Sequence, residues 1–99
     1  MTRRIRFTPA AQEDLERLFA FLAERDVSAA GRALEKIGKA WELIQEFPFA
    51  CRKARADNPF LRELLISFGN SGYVALYEIE GEDLLTVLAV RHARENDYH

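Results

Sequence analysis

Cysteine is almost absent from this chain: Cys51 is the single one and has no partner within it. No internal disulfide can hold the fold, which fits a reducing compartment. Long apolar runs are missing too. The longest, Leu84 to Val90, is broken by Thr86 and falls far short of the roughly 20 residues a membrane-spanning helix needs. The opening MTRRIRFTP is basic but lacks the apolar stretch of a secretory signal. The expected location is the cytoplasm, with no membrane contact. There is no excess of positive charge either. Lys and Arg number 14 against 16 Asp and Glu, a net charge of −2, which argues against electrostatic nucleic-acid binding by the molecule as a whole. The two histidines, His92 and His99, form no metal-ligand spacing with Cys51. Phosphate-binding loops, zinc patterns and nucleophile elbows are not found. Neither a cofactor nor a metal is expected. No repeat, low-complexity tract or linker divides the chain.

What is present suits a small globular protein. The chain has 99 residues, 48% of them hydrophobic and 30% charged, which is one domain's worth spanning residues 1–99. Seven Phe, three Tyr and Trp41 are the large side chains available to a modest core. Charge is unevenly placed. Arg3, Arg4 and Arg6 form one basic group and Arg52, Lys53 and Arg55 another, while Glu78, Glu80, Glu82 and Asp83 form an acidic one. Such groups read as solvated faces, although a patch of either sign steers a partner.

Local patterns give the order of elements. Residues 3–7 alternate basic and apolar, so they read as a short strand with Ile5 and Phe7 on one side. Thr8 suits a helix cap and Pro9 the first helical position, with Glu13 and Asp14 close to the positive end of the dipole. Ala11, Leu15, Leu18 and Leu22 make an apolar stripe to about Arg25, and Glu13 and Arg17 stand one turn apart on its surface. Asp26-Val27-Ser28 breaks and recaps. Ala30, Ala33, Leu34, Ile37, Trp41 and Ile44 carry a second helix to Phe47-Pro48, where proline stops it. The short linker implies an antiparallel hairpin. Gly31 and Gly38 share a face of the second helix at a cost to its stability, which predicts close approach of another backbone, from this chain or a partner. Residues 48–59 read as a basic loop. The period then becomes two: a strand over Phe60–Phe68, a turn at Gly69-Asn70-Ser71-Gly72, a strand over Tyr73–Glu80, a turn at Gly81-Glu82-Asp83, and a strand over Leu84–His92. The last strand is apolar on both faces and therefore reads as central. A polar tail runs from Ala93 to His99. The expected fold is α+β in the order β-α-α-β-β-β, with the helical hairpin on one face of a mainly antiparallel sheet. The partner of the first strand is open at this stage.

Candidate site residues gather after the last strand, where loops commonly carry function. Arg91, His92, Arg94, Glu95 and Tyr98 lie there, with Asp97 and His99 beside them. Alternation sends Arg91 and His92 to opposite faces, so they serve one site only if the strand ends between them; His92 reads as a hydrogen-bonded structural residue at the sheet end rather than as a base. The other reading of the segment is a solvated tail. Arg62 shares a face with Phe60, Leu64, Ile66 and Phe68 and needs a partner, for which Glu63, Glu78 and Glu80 are the candidates. Tyr73 and Tyr77 share a face and read as core.

Three stretches of the chain carry a resemblance. Phe60-Leu61-Arg62-Glu63-Leu64, Ser71-Gly72-Tyr73-Val74-Ala75-Leu76-Tyr77 and Val87-Leu88-Ala89-Val90-Arg91-His92-Ala93-Arg94-Glu95 together resemble the sheet of RelE/ParE-type toxins. Ile5-Arg6-Phe7-Thr8-Pro9-Ala10-Ala11 with Asp14-Leu15 is similar to their first strand and helix. The resemblance covers essentially the whole chain. It implies the toxin of a type II toxin-antitoxin system, of the kind tied to plasmid stabilisation, neutralised by a cognate antitoxin that wraps it. In the family, RelE-like members cleave mRNA on the ribosome and ParE-like members inhibit DNA gyrase without cleaving RNA. The nucleases are strongly basic, with Lys and Arg on the sheet at positions that align here with Leu65, Ser67, Val74 and Ala93. RNA cleavage needs groups that stabilise charge on a transferring phosphoryl, and none of these four residues is basic. The ending Val90-Arg91-His92-x-Arg94-Glu95 is similar to the ParE branch. The resemblance therefore implies a non-catalytic gyrase inhibitor with a ParD-like, ribbon-helix-helix antitoxin and no sequence-specific nucleic-acid binding of its own. Its target-binding segment is led by Arg91, His92, Arg94, Glu95 and Tyr98. The alternative is a ribosome-dependent mRNA endoribonuclease, in which Arg91, His92, Arg94 and Tyr98 would have to converge; some nuclease relatives end in a His/Tyr pair, here reversed as Tyr98-His99. A third reading is a non-toxic member kept as a binding module.

Overall fold

The computed structural model describes residues 2–69 and 71–93. The first strand, β1, runs Arg4–Phe7. Its end hands directly to a helix because Thr8 caps it: the Thr8 hydroxyl accepts from the Ala11 N–H at 3.1 Å, and Pro9 begins helix α1, Pro9–Arg25. Asp26 ends α1 and starts α2, Val27–Glu46, by accepting from the Ala29 N–H at 3.1 Å. One residue thus separates two helices, which forces the antiparallel hairpin expected from the linker.

Four strands come after the hairpin: β2 Arg52–Arg55, β3 Asn58–Phe68, β4 Ser71–Glu80 and β5 Leu84–His92. The sheet order is β1-β5-β4-β3-β2. All pairings are antiparallel except β1 with β5, which is parallel. This is the α+β arrangement read from the sequence, although β3 and β4 each begin two residues earlier than read, at Asn58 and Ser71, and two larger differences stand out. The segment read as a basic loop contains β2, an edge strand paired with the start of β3. The strand read as central, β5, is flanked on both sides in its first half, but the middle of the sheet is β4.

The helices cover one face. Ile37 and Ile44 of α2 and Ala11 and Leu18 of α1 close over Leu64, Ile66, Tyr73, Ala75, Tyr77, Ile79, Leu85, Val87 and Val90 in a single core. Phe7 meets Trp41 edge-on, with ring centroids 5.3 Å apart, a favoured aromatic geometry. The backbone N–H of Arg3 donates to the Gln45 carbonyl at 3.2 Å, and the Gln45 side chain donates to the Arg3 carbonyl at 2.8 Å, tying the end of α2 to β1.

Gly31 and Gly38 do not meet another backbone of this chain. A side-chain carbon at either would find no atom within 4 Å, because both lie on the exposed face of α2. A different glycine is constrained. Gly72, at φ +149°, pairs with Ser67, and a Cβ there would lie 2.1 Å from the Ile66 carbonyl oxygen. Only glycine lets β4 start this close to β3.

Candidate functional site

The sheet face opposite the helices is open, and its surface is set by strand parity. From β3 come Leu61, Glu63, Leu65 and Ser67, and from β4 come Val74, Leu76, Glu78 and Glu80. The register lines up Leu65 with Val74 and Val74 with Arg91, and Ser67 with Gly72, whose carbonyl accepts from the Ala93 N–H at 2.8 Å. Leu65, Ser67, Val74 and Ala93 therefore fall together at one end of the sheet, across three strands. Leu65 is 57% exposed and Val74 is buried. This corner is apolar and hydroxylic, with Arg91 as the neighbouring cation.

Other cations approach the open face, and carboxylates meet them. Arg52 reaches Glu63 at 3.0 Å and Arg6 reaches Glu80 at 3.2 Å, while the exposed Arg4 lies 3.7 Å from Asp83. The basic group of β1 and the acidic group around the β4–β5 turn thus face each other, as the parallel pairing of β1 with β5 brings Arg4 opposite Leu84. Thr86, buried between them, accepts from the Arg6 Nε at 2.9 Å and donates to the Glu80 carboxylate. That hydroxyl contact first, and then Arg6, hold the Glu80 carboxyl below its ordinary range.

Arg91 and His92 part company at the end of β5. Arg91 pairs with Val74 on the open face, whereas His92 pairs with Tyr73 on the helix side. There its ring meets the Tyr73 ring edge-on, with centroids 5.8 Å apart. Tyr73 is buried, which raises its phenol above the ordinary value. The two residues cannot face one reacting group. Arg94, Glu95 and Tyr98 lie outside the described residues. Among the described residues no group of three or more His, Cys, Asp or Glu is placed to hold a metal ion, and no helix is long and apolar enough to cross a membrane.

Two features were only partly legible in the sequence. One is an apolar groove between α1 and α2. Leu15, Phe19 and Leu22 form one wall and Ala30, Leu34 and Ile37 the other, with Tyr73 at its floor. Leu34 is 45% exposed there; its place in the stripe was legible, its exposure was not. The other is the role of Arg62. Its partners are backbone carbonyls, not Glu63, Glu78 or Glu80. It donates to Pro59 at 2.7 Å, Cys51 at 2.8 Å and Phe49 at 3.3 Å. Its guanidinium also stands 5.2 Å from the Phe49 ring centre. Tyr77, fully buried, donates to the Pro48 carbonyl at 2.6 Å, and burial, with Cys51 close by, pushes its phenol far up.

Comparison with known proteins agrees with this architecture. The family described as the ParE toxin of the type II toxin-antitoxin system parDE matches residues 5–97. Toxin RelE3 of Caulobacter vibrioides is 36% identical over 88 residues, covering 88% of this chain and 90% of that protein. Toxin RelE1 of the same organism is 33% identical, covering 85% and 87%. A putative toxin of Sinorhizobium fredii, Y4kP, is 30% identical, covering 94% and 91%. In three dimensions the chain matches a structure of the chromosomal ParDE toxin-antitoxin system from P. aeruginosa. The TM-score is 0.71 at 14% identity, over 94% of this chain and 98% of that one, which is a likeness of fold. The chain belongs to the ParE toxin family of type II toxin-antitoxin systems.

Proposed function

We propose that this chain is a non-catalytic toxin of the cytoplasm that inhibits DNA gyrase and is held inactive by a cognate antitoxin. The observation that carries the reading is the corner formed by Leu65, Ser67, Val74 and Ala93. In a nuclease of this superfamily these positions supply cations to the scissile phosphate. Here they offer none, and the imidazole of His92 sits on the opposite face against Tyr73. Among the described residues, charge developing on a phosphoryl group at this corner would find neither an array of donors beyond Arg91 nor a base beside it. An apolar sheet end bordered by Arg91 suits contact with a protein instead.

The target-facing segment in this reading is the end of β5 together with the residues after it: Arg91, His92, Arg94, Glu95 and Tyr98. The antitoxin, expected to be ParD-like, has a place to dock in the groove between α1 and α2, whose spacing of apolar side chains suits an amphipathic helix. Purified toxin should inhibit supercoiling by purified gyrase or trap cleaved DNA, and prior mixing with antitoxin should relieve the effect.

A second reading is favoured by the names of two relatives, RelE3 and RelE1: a ribosome-dependent mRNA endoribonuclease. Primer extension of transcripts from arrested cells separates the two. Cuts at defined codons, without any effect on gyrase, would replace the first reading with the second.

A further inference from the structure

β5 loses its strand neighbour halfway along. β1 pairs with it from Leu84 to Val87, so on that side Leu88 to His92 have no strand beside them among the described residues. A bare half-edge invites pairing with another chain and opens easily. Three side chains stand in for the missing strand. The Thr8 hydroxyl donates to the Leu88 carbonyl at 3.1 Å. The Asp14 carboxylate accepts from the Val90 N–H at 2.9 Å. Arg91 donates to the His92 carbonyl at 3.3 Å. Asp14 is itself braced, since its other oxygen lies 3.6 Å from the Arg17 guanidinium.

The stretch so anchored holds a β-bulge. Tyr77 pairs with Val87 and Leu76 with Ala89, which leaves Leu88 without a partner on β4. One extra residue exchanges the faces of everything after it. Leu85 and Val87 face the helices before the bulge, and Val90 and His92 face them after it. Without the extra residue Arg91 would turn toward the helices and His92 toward the open face. The register at Val90 therefore decides which of the two side chains the open face presents.

We propose that Asp14 is a positioning residue that locks the β5 bulge and, through it, sets Arg91 on the open face and His92 against Tyr73. Its consequence for toxicity rests on the reading of the β5 end as target-facing; its effect on β5 does not. What the Val90 N–H needs is an oxygen acceptor, and an amide oxygen supplies one, so Asp14→Asn should serve where Asp14→Ala does not.

The test compares the full-length chain carrying Asp14→Ala or Asp14→Asn in three measurements: hydrogen exchange at the Val90 amide, the ring-current shift of the His92 imidazole protons over Tyr73, and growth arrest on induction. In Asp14→Ala the Val90 amide should exchange about tenfold faster or more, as expected for a local opening. The His92 protons should move toward free-histidine positions and growth arrest should weaken. Asp14→Asn should stay close to the parent in all three. Unchanged Val90 exchange and His92 shift in Asp14→Ala would overturn the proposal. So would an Asp14→Asn that matches Asp14→Ala, or an Asp14→Ala that does not fold, since the role would then belong to the whole domain. If Arg91→Ala and His92→Ala both leave growth arrest intact, the target-facing reading fails, while the exchange and shift measurements still decide the role of Asp14.

Discussion

Arg62 sits on a strand face built otherwise of apolar residues, and it is held there by carbonyls rather than carboxylates. With Tyr77 it pins the chain between Pro48 and Pro59 to β3 and β4, through contacts of 2.6–3.3 Å. Hydrogen bonds from a charged donor, partly exposed as these are, contribute about 1–3 kcal/mol together. Arg62→Ala should therefore lower stability by roughly 2 kcal/mol, a fall of about 8–16 °C in Tm for a domain of this size. Tyr77→Phe, which leaves the buried Pro48 carbonyl without its donor, should cost about 1–2 kcal/mol. Thermal unfolding followed by circular dichroism measures both; a change of under about 0.5 kcal/mol for Arg62→Ala would show that these bonds do not hold the segment. Gly72 is the other residue whose chemistry is dictated by one contact. Gly72→Ala must displace the Ile66 carbonyl and adopt an unfavourable φ, at about 2–4 kcal/mol, and the same unfolding experiment reads the loss. The nature of Arg62's partners was not legible in the sequence, because backbone carbonyls of a preceding segment leave no mark in residue type. The demand for a partner was.

At the scale of elements, legibility tracked local chemistry. Thr8-Pro9 and Asp26 mark helix ends by side chains that bond within three residues, and both helices begin where those residues place them. The period-two runs of β3 and β4 are equally local. β2 is different. Arg52-Lys53-Ala54-Arg55 has no apolar alternation, and it is a strand because β3 offers it an edge, a tertiary effect that outweighs propensity. Its charges also suit an edge that should not recruit further strands. The bulge at Leu88 was invisible because β5 is apolar on both faces, so one extra residue breaks no pattern. For the helix glycines only the reading with a backbone of this chain is ruled out: on α2 both face open space within the chain, and the reading with a partner's backbone stands. That leads to a prediction at this scale. Gly31→Ala and Gly38→Ala should each stabilise the protein by about 0.5–1 kcal/mol, and the pair should add. Destabilisation by either in the isolated toxin would contradict the open surroundings of both positions; stabilisation with loss of antitoxin binding would place the partner's backbone on that face.

For the molecule as a whole, charge is arranged so that most cations near the open face meet a carboxylate. This gives the fold an acid-sensitive corner. Glu80 is held below its ordinary value by Thr86 and Arg6. A carboxyl whose folded pKa is depressed contributes stability above its unfolded value and loses it as pH falls through the folded one. The contribution of Glu80 should be complete above about pH 4.5, the ordinary value, and disappear below it. Unfolding measured from pH 7 to 3 should show a smaller acid loss in Glu80→Gln than in the parent; identical profiles would mean that the corner of Arg6, Glu80 and Thr86 contributes no such sensitivity. The α+β class, the hairpin on one sheet face and the opposite placement of Arg91 and His92 were all readable before the structure. The clustering of Leu65, Ser67, Val74 and Ala93 was not, since it depends on the register of three strands. That cluster turns a tally of missing cations into a surface: one end of the sheet, without Lys or Arg at those four positions, next to Arg91, which the proposed function reads as facing a protein rather than a phosphodiester. Titrating the purified toxin into a supercoiling reaction with purified gyrase and no ribosomes is the most direct test of that claim. The account predicts dose-dependent inhibition that Arg91→Ala weakens, whereas full gyrase activity at every dose, alongside codon-specific cleavage of mRNA on added ribosomes, would contradict it.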